Sequence, residues 1–176
     1  MLVSVITVVV LLVIIYLLAR PVIRGAIFFP ATGHNVDIMM NMAKLHSGDR
    51  VVDLGSGDGR IVIACAREGI RAEGYEINPI LVLLSRRRIR QAGLKGLAKV
   101  YWKSFWRVDL SPFDTVFVYG IPYIMHGLQG KLLRELRPGA KVISNIFLFP
   151  GWAPLAKQEK VFLYQIEEGP AAKNML

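Results

Sequence analysis

Cysteine is nearly missing from this 176-residue chain: Cys65 is the only one. A lone thiol in an apolar helical run excludes a disulfide framework and a multi-thiol metal centre, and it reads as buried and inert. Histidine is scarce as well. His34, His46 and His126 are too far apart for metal-ligand spacing, so no metal is expected. Acidic residues are the third shortage. Asp and Glu number 13 against 22 Lys and Arg, a formal charge of +9. That balance favours an acidic partner: nucleic acid, an anionic membrane surface or an acidic protein. No internal repeat or low-complexity run is present, and the length leaves room for one domain.

Charge is also missing from the amino-terminal end. Residues 2–19 hold no charged side chain, and Ser4 and Thr7 are the clearly polar members. Such a run meets the minimum of about 17–20 residues for a membrane-spanning helix. No basic residue precedes it and no small-x-small site follows, which argues against a cleaved secretory leader. Arg20 and Arg24 come after it, which places the downstream side in the cytoplasm. The expectation is a single-pass transmembrane anchor over residues 1–20 with its N-terminus outside. A juxtamembrane linker, 21–29, carries Phe28 and Phe29 near the lipid and leads to a cytoplasmic domain.

What the chain does have is a dense stretch from Arg50 to Arg60, RVVDLGSGDGR. Val51, Val52 and Leu54 form a short apolar run, the pattern of a strand buried on both faces. Asp53 sits at its carboxyl end, Gly55, Gly57 and Gly59 follow at alternate positions, and a helical run begins at Ile61. A strand opening through glycines into a helix presents backbone N–H groups and a positive helix end to a ligand. The dinucleotide fingerprint is G-x-G-x-x-G, and this turn is one residue shorter. Asp53 and Asp58 repel a pyrophosphate and attract an ammonium or a sulfonium. A second acidic strand end, Glu76, reinforces that reading.

Downstream, Thr32 is a helix cap for a run to about Leu45, with Pro30-Ala31-Thr32-Gly33 breaking the chain before it. Strands are expected over residues 71–76, 97–102, 114–119, 140–147 and 161–166. Helices are expected from Asn78-Pro79 to about Gln91 and over 123–136, and the tail 169–176 reads as loose. Strands alternating with helices at these lengths mean an α/β, doubly wound, mostly parallel sheet. Ligands of such sheets bind beyond the carboxyl ends of the strands, where strand order reverses. Asp53, Gly55, Gly57, Glu76, Ser104, Tyr119 and Pro122 all fall there. The Arg86-Arg87-Arg88-Ile89-Arg90 run spreads over more than half a helix circumference, so it reads as a solvated face. Nucleic acid is not the expected partner.

Residues 52–62, VDLGSGDGRIV, followed by 74–79, GYEINP, resemble the seven-strand S-adenosylmethionine-dependent methyltransferases. Within that superfamily the chain is similar to a small family of protein-lysine methyltransferases. Its mitochondrial members modify the ATP synthase c subunit and the adenine nucleotide translocase, and archaeal relatives have broad specificity. Further matches are Pro30-Ala31-Thr32, Phe105-Trp106, Val118-Tyr119-Gly120-Ile121-Pro122, the Lys131-to-Ala140 segment, and Phe147 with Pro150 and Trp152. The resemblance implies a Rossmann-like methyltransferase domain over residues 30–168, with S-adenosyl-L-methionine as cofactor. The acceptor it implies is a lysine of a membrane or membrane-proximal protein.

It also implies roles. Thr32, Asp53, Gly55, Ser56, Gly57, Glu76, Ile77, Asn78, Ser104 and Phe105 would hold the cofactor. Asp53 would lie near the methionine amine, and Glu76 on the ribose hydroxyls. Tyr119, Pro122 and Tyr123 would border the acceptor. The family has an acidic residue, an acceptor for the adenine amino group, where this chain has Ser104, a weaker one. Lysine as acceptor needs help, since with a pKa near 10.4 only about one in a few thousand is neutral at pH 7. Desolvation in a slot lined by Tyr119, Tyr123, Phe147 and Trp152 would favour the neutral amine. No side-chain amide or carboxylate follows the fourth strand, so no single base is evident. Other readings are a methyltransferase of RNA or a small molecule, a nicotinamide-dependent oxidoreductase, and a non-catalytic cofactor-binding scaffold.

Overall fold

The computed structural model describes residues 5–9, 11, 12, 16, 31–120 and 122–167. In chain order its elements are α1 (Gly33–Ala43), β1 (Arg50–Leu54), α2 (Arg60–Arg67), β2 (Arg71–Glu76), α3 (Pro79–Gln91) and β3 (Ala98–Trp102). A 3₁₀ turn (Phe105–Arg107) follows, then β4 (Thr115–Val118), α4 (Pro122–Glu135), β5 (Lys141–Asn145), β6 (Ala156–Gln158) and β7 (Val161–Gln165). The strands form one seven-stranded sheet in the order β3-β2-β1-β4-β5-β7-β6. The first five in that order are parallel, and β7 runs antiparallel between β5 and β6.

The sheet is covered on both faces, as the near-continuous apolar strands require. On one face Val51, Phe117 and Ile143 pack with Met39 of α1, Val62 of α2 and Ile89 of α3. On the other, Val52, Val116 and Val142 pack with Met125, Leu128 and Leu132 of α4. The chain winds outward through β1, β2 and β3, then returns to β4 and β5. That reversal opens a crevice at the carboxyl ends of β1 and β4. The doubly wound, mostly parallel arrangement agrees with the sequence. β6 was not expected: its three residues are all exposed, so no burial pattern marks them, and they are a strand because β7 pairs with them.

The expected transmembrane anchor and the single-pass, cytoplasmic-domain placement built on it are corrected. Among the described residues no helix is long and apolar enough to cross a membrane. Spanning takes about 20 residues of continuous apolar helix, and the longest helix among the described residues, α4, has 14. Residues 1–4, 10, 13–15 and 17–20 of the expected anchor lie outside the described residues. The linker 21–29 with Arg20 and Arg24, Pro30, Ile121 and the tail 169–176 lie outside the described residues.

Candidate functional site

The site grows out of the turn after β1. The Gly55 and Ser56 N–H groups both donate to the Tyr75 carbonyl, at 2.9 and 3.1 Å, which hooks the turn onto the end of β2. Gly74 permits that approach, because a Cβ there would meet Ser56 Oγ at 2.6 Å and Val62 Cγ2 at 3.0 Å. Gly55 has φ +84°, and the direction its Cβ would take is open space. A ligand can therefore lie directly against the turn backbone.

Glu76 closes the same turn from the β2 side. Its Oε2 accepts from Gly57 N at 2.9 Å and its Oε1 accepts from Asn78 N at 2.7 Å. Asn78 caps α3 by accepting from Ile80 N at 3.0 Å. Trp102 Nε1 donates to the Ile77 carbonyl at 3.0 Å, so the end of β3 is tied to the same corner. Ser104 opens the 3₁₀ turn without a side-chain cap bond, leaving its hydroxyl available, and Phe105 and Trp106 pair at 5.0 Å. Asp53, Gly55, Ser56, Gly57, Glu76, Ile77 and Asn78 thus come together, with Ser104 and Phe105 just beyond β3.

Asp53 is buried on all sides. Burial, then the Glu76 and Asp58 carboxylates, push its carboxyl up to about 8. The folded chain therefore holds a proton that the unfolded chain releases above about pH 4. Its contribution to stability is complete below that value and lost as pH rises toward 8. Denaturant melts at pH 5 and pH 8 are expected to show this decline, and Asp53→Asn to flatten it. An unchanged slope in the variant would contradict the assignment.

Asp58 corrects the sequence reading, which counted it among the charges facing the ligand. Burial alone would raise it, but Arg60 and Arg88 hold it below its ordinary value by hydrogen bonds and charge. Arg60 binds both Asp58 oxygens, at 2.9 and 2.7 Å, and also donates to the Ala31 carbonyl. Arg88 of α3 pairs with Asp58 as well. The network fastens the entrance to α1, and with it Thr32, to the glycine turn. Thr32 Oγ1 itself accepts from Asn35 N at 3.2 Å, as expected of a cap, and is exposed. Two of the four clustered arginines are thus internal ties, since Arg86 Nε donates to the Val100 carbonyl at 2.8 Å. Arg87 and Arg90 remain on the solvated face.

The expected acceptor slot is only partly assembled. Tyr119, half-buried beyond β4, stacks with Phe147 at 6.4 Å, and burial raises its hydroxyl above the usual tyrosine value. It stays protonated near neutrality and is no base. Pro122 begins α4 and, with Tyr123, is exposed. Trp152 is not in the slot: it is buried against Phe149 and Tyr164, with ring centroids at 5.4 and 4.8 Å. The sequence reading missed Asn145, a wholly buried amide at the carboxyl end of β5, and its partner Asn35 on α1. Polar residues ending a buried strand were the one available signal.

The residues fit an adenosyl ligand with an amino-acid end. The Ser56 hydroxyl is buried without a partner among the described residues, the Gly55 backbone faces open space, and each Glu76 oxygen retains a lone pair. Comparison with known proteins agrees. The family described as the ANTKMT methyltransferase domain matches residues 53–156. The lysine N-methyltransferase of the ATP synthase c subunit from Mus musculus is 44% identical over 146 residues, 80% of this chain and 59% of that protein. Adenine nucleotide translocase lysine N-methyltransferase of Mus musculus is 36% identical over 150 residues, 82% of this chain and 65% of that protein. The chain thus spans less than two thirds of either relative. Among solved structures, an RNA methyltransferase from Salinibacter ruber in complex with S-adenosyl-L-homocysteine superposes with a TM-score of 0.76 at 34% identity. The match covers 81% of this chain and 96% of that one.

Proposed function

The chain belongs to the ANTKMT methyltransferase domain family, and from that premise we propose that it is an S-adenosylmethionine-dependent protein-lysine N-methyltransferase. The observation that carries the reading is the clasp of Glu76 by Gly57 N and Asn78 N beside a glycine turn open to ligand. The proposed acceptor is a lysine of a membrane or membrane-proximal protein, supported by the names of both curated relatives.

When bound, the cofactor supplies an electrophilic methyl group on a sulfonium. In this reading Glu76 receives the ribose hydroxyls on its free lone pairs, and Gly55 and Gly57 give their backbone to close packing. Asp53 faces the cofactor's ammonium, Ile77 and Phe105 flank the adenine, and Ser104 accepts from its amino group. Thr32, at the entrance of α1, would contribute to holding the methionine end. Tyr119, Pro122 and Tyr123 border the lysine, and the Tyr119–Phe147 pair tolerates a cationic centre on its ring faces. Transfer is an in-line displacement, so positioning and exclusion of water supply most of the acceleration.

The test is transfer of labelled methyl from S-adenosylmethionine in membrane extracts, followed by protease or RNase and by mass spectrometry. Label on protein lysine is the expected result. Label lost to RNase instead would favour the second reading, methylation of RNA, for which the 34% identical Salinibacter ruber protein is the supporting observation. A further expected result concerns Ser104. Because its hydroxyl is not spent on capping, Ser104→Asp should tighten cofactor binding by about 1 kcal/mol, the difference between a neutral and a charge-assisted hydrogen bond. Weaker calorimetric affinity in a folded variant would mean that Ser104 does not meet the adenine.

A further inference from the structure

Asn145 has the properties of a ligand contact. It ends β5 and is fully buried. Its Oδ1 accepts from Asn35 Nδ2 at 3.1 Å, while its Nδ2 has no hydrogen-bond partner among the described residues. Asn35 is fixed in turn, since its backbone N–H is held by Thr32 Oγ1 at 3.2 Å. A buried amide whose carbonyl is occupied and whose donor is unmet carries a desolvation cost that a ligand oxygen would remove.

The register places Asn145 at the carboxyl edge of the sheet, beside the crevice. Asp53 pairs with Phe117 and Phe117 with Ile143 across β1, β4 and β5. Asn145 lies two residues past Ile143, so it shares the sheet face of Asp53. Two strand spacings across and two residues along separate their Cα atoms by about 12 Å. Two short side chains, two hydrogen bonds and an amino-acid headgroup fill that span. A donor is the wrong group for a reacting amine, whose lone pair must stay free for attack. It is the right group for a carboxylate.

Resting on the cofactor reading above, we propose that Asn145, oriented by Asn35, receives the carboxylate of the cofactor's amino-acid end while Asp53 faces its ammonium. The amino-acid end is then gripped by β1 and β5 together, straddling β4.

Calorimetry of the full chain with two ligands tests this. S-adenosylhomocysteine carries the amino-acid end, and 5′-methylthioadenosine has the same nucleoside and thioether without it. Asn145→Ala should weaken S-adenosylhomocysteine roughly ten- to hundredfold and leave methylthioadenosine unchanged. Asn145→Asp should weaken S-adenosylhomocysteine further, by repulsion. Asn35→Ala, which leaves the buried residue in place, should give a smaller loss confined to S-adenosylhomocysteine, and it keeps the test open if Asn145 variants do not fold. Equal losses for both ligands, no loss for either, or retained affinity in Asn145→Asp would overturn the proposal. So would an unchanged S-adenosylhomocysteine affinity with a raised KM for the protein acceptor, which would assign the donor to substrate. If the unaltered chain fails to bind S-adenosylhomocysteine at all, the cofactor reading itself has failed.

Discussion

Glu76→Ala is expected to weaken S-adenosylmethionine binding by about 1.5–3 kcal/mol, roughly 10- to 150-fold, the range for hydrogen bonds to a charged group. Two losses combine. The ribose hydroxyls lose a bidentate acceptor, and the Gly57 and Asn78 N–H groups lose the carboxylate that now accepts from them at 2.9 and 2.7 Å. The turn is then free to leave the conformation in which Gly55 faces open space. The same change removes a charge that raises Asp53, so the empty protein should not be destabilised in proportion. Calorimetric affinity beside a melting curve separates the two effects. Unchanged affinity in a folded Glu76→Ala protein would sink the assignment of this corner as the ribose site.

Lys131→Ala should have the larger effect on folding, about 3 kcal/mol, the lower end for breaking a buried pair. Lys131 Nζ is almost fully buried and donates to both Glu135 oxygens and to the Val108 carbonyl, each at 2.7 Å. Glu135 Oε2 in turn accepts from Leu110 N at 3.1 Å. The pair therefore staples α4 to the chain leaving the 3₁₀ turn, the segment that also carries Ser104 and Phe105. Removing the cation leaves a half-buried carboxylate and an unmet carbonyl. The double variant Lys131→Met, Glu135→Gln should recover most of the loss, since the Gln carbonyl still accepts from Leu110 N. A change in unfolding free energy well under 1 kcal/mol for Lys131→Ala would show that the staple is not what holds this segment.

These results bear on how much of the molecule was readable in one dimension. The turn 55–59, the cap at Asn78 and the alternation of strand and helix were legible because local rules govern them. Glycine spacing dictates a tight turn, Asn before Pro caps a helix, and apolar runs of strand length must be buried. β2 and α3 were expected at the bounds now observed, and the ends of β3, β4 and β5 moved by one or two residues. Glu76 was legible as the end of β2, because Asn78-Pro79 opens the next helix directly after it.

Position relative to distant parts of the chain was not legible. Asp58 looked like a ligand-facing acid until α3 brought Arg88 against it from 30 residues away. Trp152 looked like a slot aromatic, but β7 supplies Tyr164 as its core neighbour. β6 exists only through pairing with β7. For the expected anchor, most of residues 1–20 lie outside the described residues, and among those described no helix is long and apolar enough to cross a membrane.

The sequence by itself determined the class of sheet, the glycine turn and the acidic strand ends, since each is written in residues fewer than about ten apart and obeys backbone sterics. The tertiary structure alone decided which charges are spent internally, which aromatics are core, and that Asn35 meets Asn145 across 110 residues of chain. Those outcomes depend on strand order and register, which bring side chains together by hydrogen bonds between strands and leave no periodic trace along the chain.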